Sequence, residues 1–333
     1  MIVQLKPEVN EAKAQELGRE LSAFVIREAE GYTLITPSKL KQVEEKFAAF
    51  VAKSVAMDDD IQLANRKYKK ETRTVRISDK ISVGGATHNT VVITGPCSVE
   101  SEQQIDQAAR LCVELGVGVL RAGAYKPRTS PYTFQGMGLE GLKLLAKMRE
   151  KYGLKIITEI RDSTHVNEVI EHADILQIGA KAMYDHGILK SAGKSNKPVL
   201  LKRGFGTTLQ EFVQSAEFIL SGGNPNVMLC ERGIRTFETK TRFTLDLCGV
   251  AYLKEYTNLP VVLDPSHAMG YAYGVADLAR ACTAMGIDGL LIETHPDPSV
   301  AKSDASQQLN FEQFTALYKS LVPVAAAVGY KIV

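Results

Sequence analysis

The sequence lacks the features that mark several classes of protein. It has no C-x-x-C pair, and its five cysteines, Cys97, Cys112, Cys230, Cys248 and Cys282, are scattered and odd in number. A disulfide framework is therefore not expected, and a reducing compartment fits better. Basic runs are missing too, and the net charge at pH 7 is only +2 over 333 residues. Bulk nucleic-acid binding is not expected on that balance. No apolar run reaches membrane-spanning length. The opening MIVQLKPEVNEAKAQ turns polar after five residues, so no secretory leader and no membrane partner are expected, and a cytoplasmic location follows by elimination. What remains is an ordinary globular composition, 45% hydrophobic and 23% charged. It suffices for one large domain, or a large one with a small companion.

The first 70 residues read as the small companion. MIVQLKP alternates like a strand, and residues 10–21 carry Ala12, Leu17 and Leu21 roughly on one helical face. SAFVIREA and YTLITP read as strands around the turn at Glu30-Gly31. Ser38 reads as the cap of a second helix through Ala49, and FVAKSVAM as a fourth strand. The order βαββαβ is ferredoxin-like. The polar stretch from Asp58 to Thr74 reads as a linker, and TVRISDKISVGGATHNTVVITG alternates like strands around Gly84-Gly85. Residues 71–90 thus join the small unit to the rest.

From Val91 the rhythm changes. Eight apolar runs alternate with segments of helical spacing: VVITG, VGVLRAG, KIITEI, DILQIG, PVLLKRG, NVMLCERG, PVVLDPSH and DGLLIETH. Apolar bodies of this kind suit strands buried on both faces. Eight βα units over residues 91–333 match a (β/α)8 TIM barrel in count and size. A doubly wound sheet is the alternative, and the lack of G-x-G-x-x-G after the first strand counts against it.

Polar residues fall at the ends of these runs. Cys97 follows the first, and Arg121, Glu159 and Gln177 mark the next three. Lys202 with Arg203, Glu231 with Arg232, Asp264 with His267, and Glu293 with His295 end the rest. All such ends share one face of a barrel, where catalytic groups collect. The cations Arg121, Lys126, Arg128, Lys202, Arg203, Arg232 and Arg235 would repel one another unless anions fill the cluster or Glu159, Glu231 and Asp264 pair with them. Arginine grips phosphate or carboxylate bidentately, and lysine adds a mobile charge. Cys97, His267, Glu293 and Asp304 come from neighbouring strand ends and would suit a divalent transition metal. No short motif ties the four together. A cysteine after a strand also reads as a small core residue, as do the other four cysteines. His295 is a rival ligand that reads as a packed, hydrogen-bonded histidine.

Six motifs taken together identify a resemblance. GPCSVE (95–100), RAGAYKPRTSPYTFQG (121–136), LLKRGF (200–205), CERGIRTFE (230–238), DPSHA (264–268) and ETHPDP (293–298) with KSD (302–304) resemble 3-deoxy-D-arabino-heptulosonate-7-phosphate (DAHP) synthases of the type I beta group, which open the shikimate pathway. The N-terminal unit is similar to the ferredoxin-like, ACT-like regulatory domain that some members carry. The resemblance implies a transferase that condenses phosphoenolpyruvate with erythrose 4-phosphate and releases phosphate. It implies one divalent metal (Mn, Fe, Co or Zn) on Cys97, His267, Glu293 and Asp304. It implies that Arg121, Lys126, Glu159, Ala180, Lys181, Lys202 and Arg232 hold phosphoenolpyruvate, and that Pro127, Arg128 and Thr129 receive the aldose phosphate. Lys126, Cys97 and His267 would be the catalytic centre. A homo-oligomer, dimer or tetramer, with an aromatic amino acid as effector would follow. Lys181 stands where the family usually has arginine, and residues 238–243 and 271–273 also depart from its pattern. The competing expectations are condensation with arabinose 5-phosphate (KDO8P synthase), a metal-free aldolase using Lys202 as Schiff base, and a non-catalytic metabolite sensor.

Overall fold

The computed structural model describes residues 1–126 and 130–333. Strands β1 (Ile2–Leu5), β2 (Phe24–Glu28), β3 (Gly31–Ile35) and β4 (Val51–Val55) form an antiparallel sheet in the order β2-β3-β1-β4. The helix Glu11–Glu20, capped by Asn10, packs Ala14 and Leu17 onto Val3, Leu5 and Leu34 of that sheet. The second helix expected from Ser38 does not form. A short 3-10 turn, Glu45–Phe50, stands in its place. Only Phe47 of its apolar positions is buried, while Leu40 and Val43 merely pack at the margin. So narrow a stripe does not offset the cost of nucleating a helix, and the Ser38 N–H donates to Asp60 instead.

The stretch after β4 is more than a linker. Ile61, Leu63 and Ala64 are buried. The N–H groups of Gln62, Leu63 and Ala64 donate to the Glu217 carboxylate at 2.9, 3.1 and 2.7 Å. Glu217 belongs to the helix Leu209–Ser221 on the outside of the barrel, so the connection is sewn to its surface. Strands β5 (Thr74–Arg76) and β6 (Ser82–Gly84) then pair as a hairpin. Its turn lies at residues 77–81, and Gly84 and Gly85, both at positive φ, lead the chain on toward the barrel. The hairpin seals the floor of the barrel by placing Val75 and Val83 against the interior side chains Val91, Val119 and Leu291.

Eight parallel strands close the barrel: β7 (Asn89–Gly95), β8 (Val119–Arg121), β9 (Lys155–Ile160), β10 (Ile175–Ile178), β11 (Val199–Lys202), β12 (Val227–Glu231), β13 (Val261–Leu263) and β14 (Gly289–Glu293). Each pairs with the next, and β14 returns to β7 through Leu291↔Ile93. The short β15 (Lys331–Ile332) adds to β7. The helices that cross over are set by local signals. Ser101 caps Glu102–Leu115, which ends at left-handed Gly116, and a Thr208/Glu211 capping box opens Leu209–Ser221. The architecture is the (β/α)8 barrel expected from the eight runs, with a small antiparallel sheet before it. All the reactive strand ends face one mouth.

Candidate active site

Cys97 lies two residues beyond β7. Its N–H donates to Gln308 Oε1 at 2.9 Å, and its Sγ is 3.2 Å from Asp304 Oδ2 and 2.9 Å from Ser303 Oγ. Asp304 adopts the left-handed conformation, φ 48° and ψ 41°, a costly choice for a residue with a Cβ and one that clusters at functional positions. Glu293 ends β14. Its Oε1 accepts from Arg121 Nη1 at 2.7 Å, and its Oε2 from Gln307 Nε2 at 2.6 Å. The donor atoms of Cys97, Glu293 and Asp304 all lie within 4.8 Å of one another. His267 stands beside this trio, with Nε2 at 3.5 Å from Glu293 Oε1. Its Nδ1 is 2.7 Å from Asp264 Oδ2, an arrangement that aims Nε2 at the cluster, as second partners of ligating histidines do. Ligands bound at about 2.0–2.3 Å sit about 3–4 Å apart on a tetrahedral ion, so the donor set fits a divalent transition metal after a small closure.

The electrostatics agree with that chemistry. Burial, then the Glu293 carboxylate, pushes the Cys97 thiol up to about 12, against the pull of Lys126 and Arg121. Burial opposes ionisation of Glu293 and Asp304 as well. His267 and Arg121 nevertheless hold Glu293 below its ordinary value, and His267 and Lys126 hold Asp304 well below the carboxylate range. Burial keeps the His267 imidazole below its ordinary value despite Asp264 and Glu293. The cluster thus carries two carboxylates, an imidazole whose protonation burial opposes, and a thiol that needs a cation to become thiolate.

A cavity of about 370 Å³ opens above the cluster, lined by Lys126, Glu159, Ala180, Lys181, Lys202, Arg232, Arg242, His267 and Asp304, among others. Lys126 Nζ donates to Cys97 O and Sγ, both at 3.0 Å. Burial lowers this lysine's proton affinity, but Cys97 and Glu159 outweigh it and hold the ammonium above its ordinary value. Gln177 Nε2 donates to Glu159 Oε2 at 2.7 Å. A side chain at Gly179 would put its Cβ 2.3 Å from Glu159 Oε1, so glycine is needed there for Glu159 to lie flat under the Ala180–Ala182 turn.

The rim cations among the described residues do not form one uniform nest. Arg121 is matched by Glu293 at 2.7 Å, and Lys202 by Asp264 at 2.6 Å. Arg203 is spent entirely within the protein. Its Nη1 meets Glu231 at 2.9 Å and Asp246 at 2.8 Å, and its Nη2 donates to Thr207 O. Arg235 lies over the Phe205 ring, its Cζ 4.9 Å from the centroid. Arg232 makes no ion pair among the described residues, and its buried Nη1 has no hydrogen-bond partner there. The expected aldose-phosphate residues Pro127, Arg128 and Thr129 lie outside the described residues. His295 is a packed histidine, accepting from the Asp297 N–H through Nδ1 at 3.1 Å. Of the other cysteines, Cys112, Cys230 and Cys282 are buried, but Cys248 is exposed. It sits in the first turn of the helix Leu247–Tyr256, on a face that a run of mixed residues did not reveal.

Sequence reasoning missed Gln307, Gln308, Ser303 and Arg242. The glutamines hold Glu293 and Cys97 in place, and Arg242 Nη1 donates to Gln307 at 2.8 Å and stands 3.7 Å from Asp304. For Ser303 and the glutamines the one signal was adjacency, since Ser303 is within the KSD segment and ASQQ follows it, whereas Arg242 lies in the 238–243 stretch.

A closed barrel whose mouth gathers a thiol–imidazole–carboxylate set beside excess positive charge has the make-up of an enzyme site suited to anionic substrates, with side chains that could hold a metal. The chain belongs to the DAHP synthetase I family, whose family model matches residues 65–328. It is 45% identical over 272 residues to the phospho-2-dehydro-3-deoxyheptonate aldolase of Thermotoga maritima, covering 81% of this chain and 79% of that protein. It is also 34% identical over 273 residues to a 2-dehydro-3-deoxyphosphooctonate aldolase of Syntrophotalea carbinolica, covering 77% of this chain and 97% of that one. The crystal structure of the Thermotoga maritima DAHP synthase superposes with a TM-score of 0.81 at 39% identity, covering 100% of this chain and 99% of that chain. A truncated form of that synthase covers 81% of this chain at a TM-score of 0.76. Among the described residues no helix is long and apolar enough to cross a membrane.

Proposed function

We propose that this chain condenses phosphoenolpyruvate with erythrose 4-phosphate to give DAHP and inorganic phosphate, opening the shikimate pathway in the cytoplasm. The observation that carries this reading is the junction of the Cys97, Glu293 and Asp304 cluster with the cation-lined cavity directly above it. Cys97, His267, Glu293 and Asp304 would hold one divalent metal (Mn, Fe, Co or Zn), which when bound supplies Lewis acidity toward the aldehyde oxygen.

The chain's own residues do the rest. Arg232, Lys202, Lys181 and the Ala180 turn bind the phosphate and carboxylate of phosphoenolpyruvate, with Arg121, Lys126 and Glu159 beneath. They hold two anionic substrates that would otherwise repel, which turns a collision into a positioned encounter. C3 of the enol attacks the aldehyde carbon, and Lys126, kept protonated beside Cys97, is placed to proton the new alkoxide. Water adds at C2 and phosphate leaves by C–O cleavage. Pro127, Arg128 and Thr129 would receive the aldose phosphate, and residues 91–333 would be the catalytic domain.

The test is phosphate release from phosphoenolpyruvate and a panel of aldose phosphates on manganese-reconstituted protein. Erythrose 4-phosphate is expected to be turned over in preference to arabinose 5-phosphate, and chelation should abolish turnover until metal is restored. Preference for the pentose would reassign the acceptor. Full activity in chelator, with borohydride trapping of Lys202, would replace the mechanism with a Schiff-base one, and no turnover of any pair would leave a metabolite sensor.

Residues 1–70 are read as a ferredoxin-like regulatory domain of a homo-oligomer, dimer or tetramer. The strand order β2-β3-β1-β4 supports this, as does a cavity of about 590 Å³ shared by that sheet, the connection and the barrel surface. Phenylalanine or tyrosine is expected to inhibit the full-length enzyme and to spare a form lacking residues 1–70. Indifference of the full-length enzyme to both, and to chorismate, removes the effector role.

A further inference from the structure

Two arginines at the ends of neighbouring strands, Arg203 and Arg232, are held in opposite ways. Arg203 sits between the carboxylates of Glu231 and Asp246, so its charge is cancelled inside the protein. Arg232 is equally buried, at 5% exposure, yet has no carboxylate within ion-pair distance among the described residues. A buried guanidinium without an anion is unfavourable, and something must hold its plane. Two aromatic rings do so. The Arg232 Cζ lies 4.6 Å from the centroid of Phe243 and 5.7 Å from that of Phe205. The rings are stacked on each other at 5.3 Å and 14°. Arg242 lies over the outer side of the same seat, 5.7 Å from Phe243.

The seat is anchored on three loops. Phe205 follows β11, and its carbonyl accepts from the Arg235 N–H at 2.7 Å. The Phe243 N–H donates to Ala268 O at 2.9 Å, in the helix Pro265–Met269 that carries His267. Ile234 and Thr244 exchange both backbone hydrogen bonds, at 2.8 and 2.9 Å. Gly233 lies at φ +95°, and a Cβ there would come within 2.7 Å of the Phe243 Cβ. Glycine thus lets the ring close up directly after Arg232.

We infer that the Phe205–Phe243 pair is a positioning element that seats Arg232 by its ring faces instead of by a carboxylate, leaving the full guanidinium charge for the substrate phosphate. The inference rests on the reading of Arg232 as a phosphoenolpyruvate ligand. A carboxylate in the same place would fix the side chain equally well but would cancel the charge and compete with the phosphate. The ring quadrupole attracts the cation and offers it no anion. Phe243 is not among the residues that line the cavity, whereas Phe205 borders it.

The test is a fluorine series at position 243, with phenylalanine replaced site-specifically by its mono-, di- and trifluoro analogues. These keep the ring's shape while draining its face of negative charge. Phosphoenolpyruvate affinity of the manganese-loaded protein is measured by calorimetry, with Arg232→Met as the companion variant. The dissociation constant should rise stepwise with fluorine number, by about tenfold over the series. KM should follow it and kcat should stay within about twofold of wild type, while Arg232→Met loses binding far more severely. A dissociation constant flat across the series, with Arg232→Met still defective, shows that the rings merely fill space and overturns the inference. Undiminished binding by Arg232→Met overturns the site reading beneath it.

Discussion

Replacing Cys97 with serine should lower divalent-metal affinity by more than about 100-fold, above the usual cost of losing an outer partner of a ligand, and should reduce turnover to the background of the metal-free protein. The same variant should abolish a pH effect. In the wild-type protein, burial and Glu293 keep the thiol up to about 12, so metal capture between pH 6 and 8 must expel one proton from sulfur. Glu293 and Asp304 are held below their ordinary values and are already ionised in that range. Burial holds the His267 imidazole below its ordinary value, so over the upper part of that range the thiol is the group that still carries a proton. The proton count is therefore one, and apparent affinity should rise about tenfold per pH unit. Titration against a competing chromophoric chelator at pH 6, 7 and 8 checks this. Wild-type affinity that is level across the range would mean that the thiol is not a ligand, whatever its neighbours are.

That prediction uses residues 97, 267, 293 and 304, which come from strand ends that are distant in sequence. That these strand ends share one mouth was legible because a barrel converts order along the chain into position around a ring, whereas their reading as one ligand set came from the family resemblance. Each apolar run ended in a reactive side chain, and eight such ends had to meet at one mouth. The pairing within the mouth was not legible. Nothing in PVLLKRG distinguishes Lys202, which faces Asp264, from Arg203, which turns outward between Glu231 and Asp246. A strand alternates its side chains by two, but the last residue of a strand is free to leave that alternation. The second small helix failed for a different reason. The spacing of Leu40, Val43 and Phe47 was helical, but helix formation depends on a packing partner, and the sheet offered one only to Phe47. The polar connection between the two units looked like a linker because a carboxylate from a helix about 150 residues away holds its backbone N–H groups. Composition carries no trace of such a contact.

Arg203→Met tests the largest structural consequence of this arrangement. Methionine fills much of the arginine's volume but leaves the Glu231 carboxylate, at 0% exposure, with the Gly233 N–H at 2.7 Å as its one remaining partner among the described residues. It also removes the ion pair of Asp246, which keeps only its cap bond from the Gly249 N–H at 2.7 Å among the described residues, and leaves Thr207 O without its donor. Removing one member of a buried ion pair typically costs about 3–5 kcal/mol, which is a large part of the stability of an ordinary domain. The effect has a definite sign with pH. Burial already raises the Glu231 carboxyl above its ordinary value, and Arg203 is the main group opposing that rise. Without Arg203 the folded-state value climbs further, so the folded variant binds a proton that the unfolded chain releases above its ordinary carboxyl value of 4.5. A group raised in this way contributes stability that is complete below the unfolded value and is lost as pH rises through the folded one. The gap between wild type and variant should therefore widen as pH rises past the wild-type folded value, which itself lies above 4.5. Denaturant unfolding at pH 5, 6 and 7 reads it directly. A constant gap would mean that Asp246 and the loss of packing, and not the stranded Glu231, account for the destabilisation. Activity of the surviving folded fraction should fall less than its stability, because Arg203 faces the loop carbonyl of Thr207 and its two carboxylates, and the guanidinium proposed to meet substrate is that of Arg232, whose buried Nη1 has no hydrogen-bond partner among the described residues.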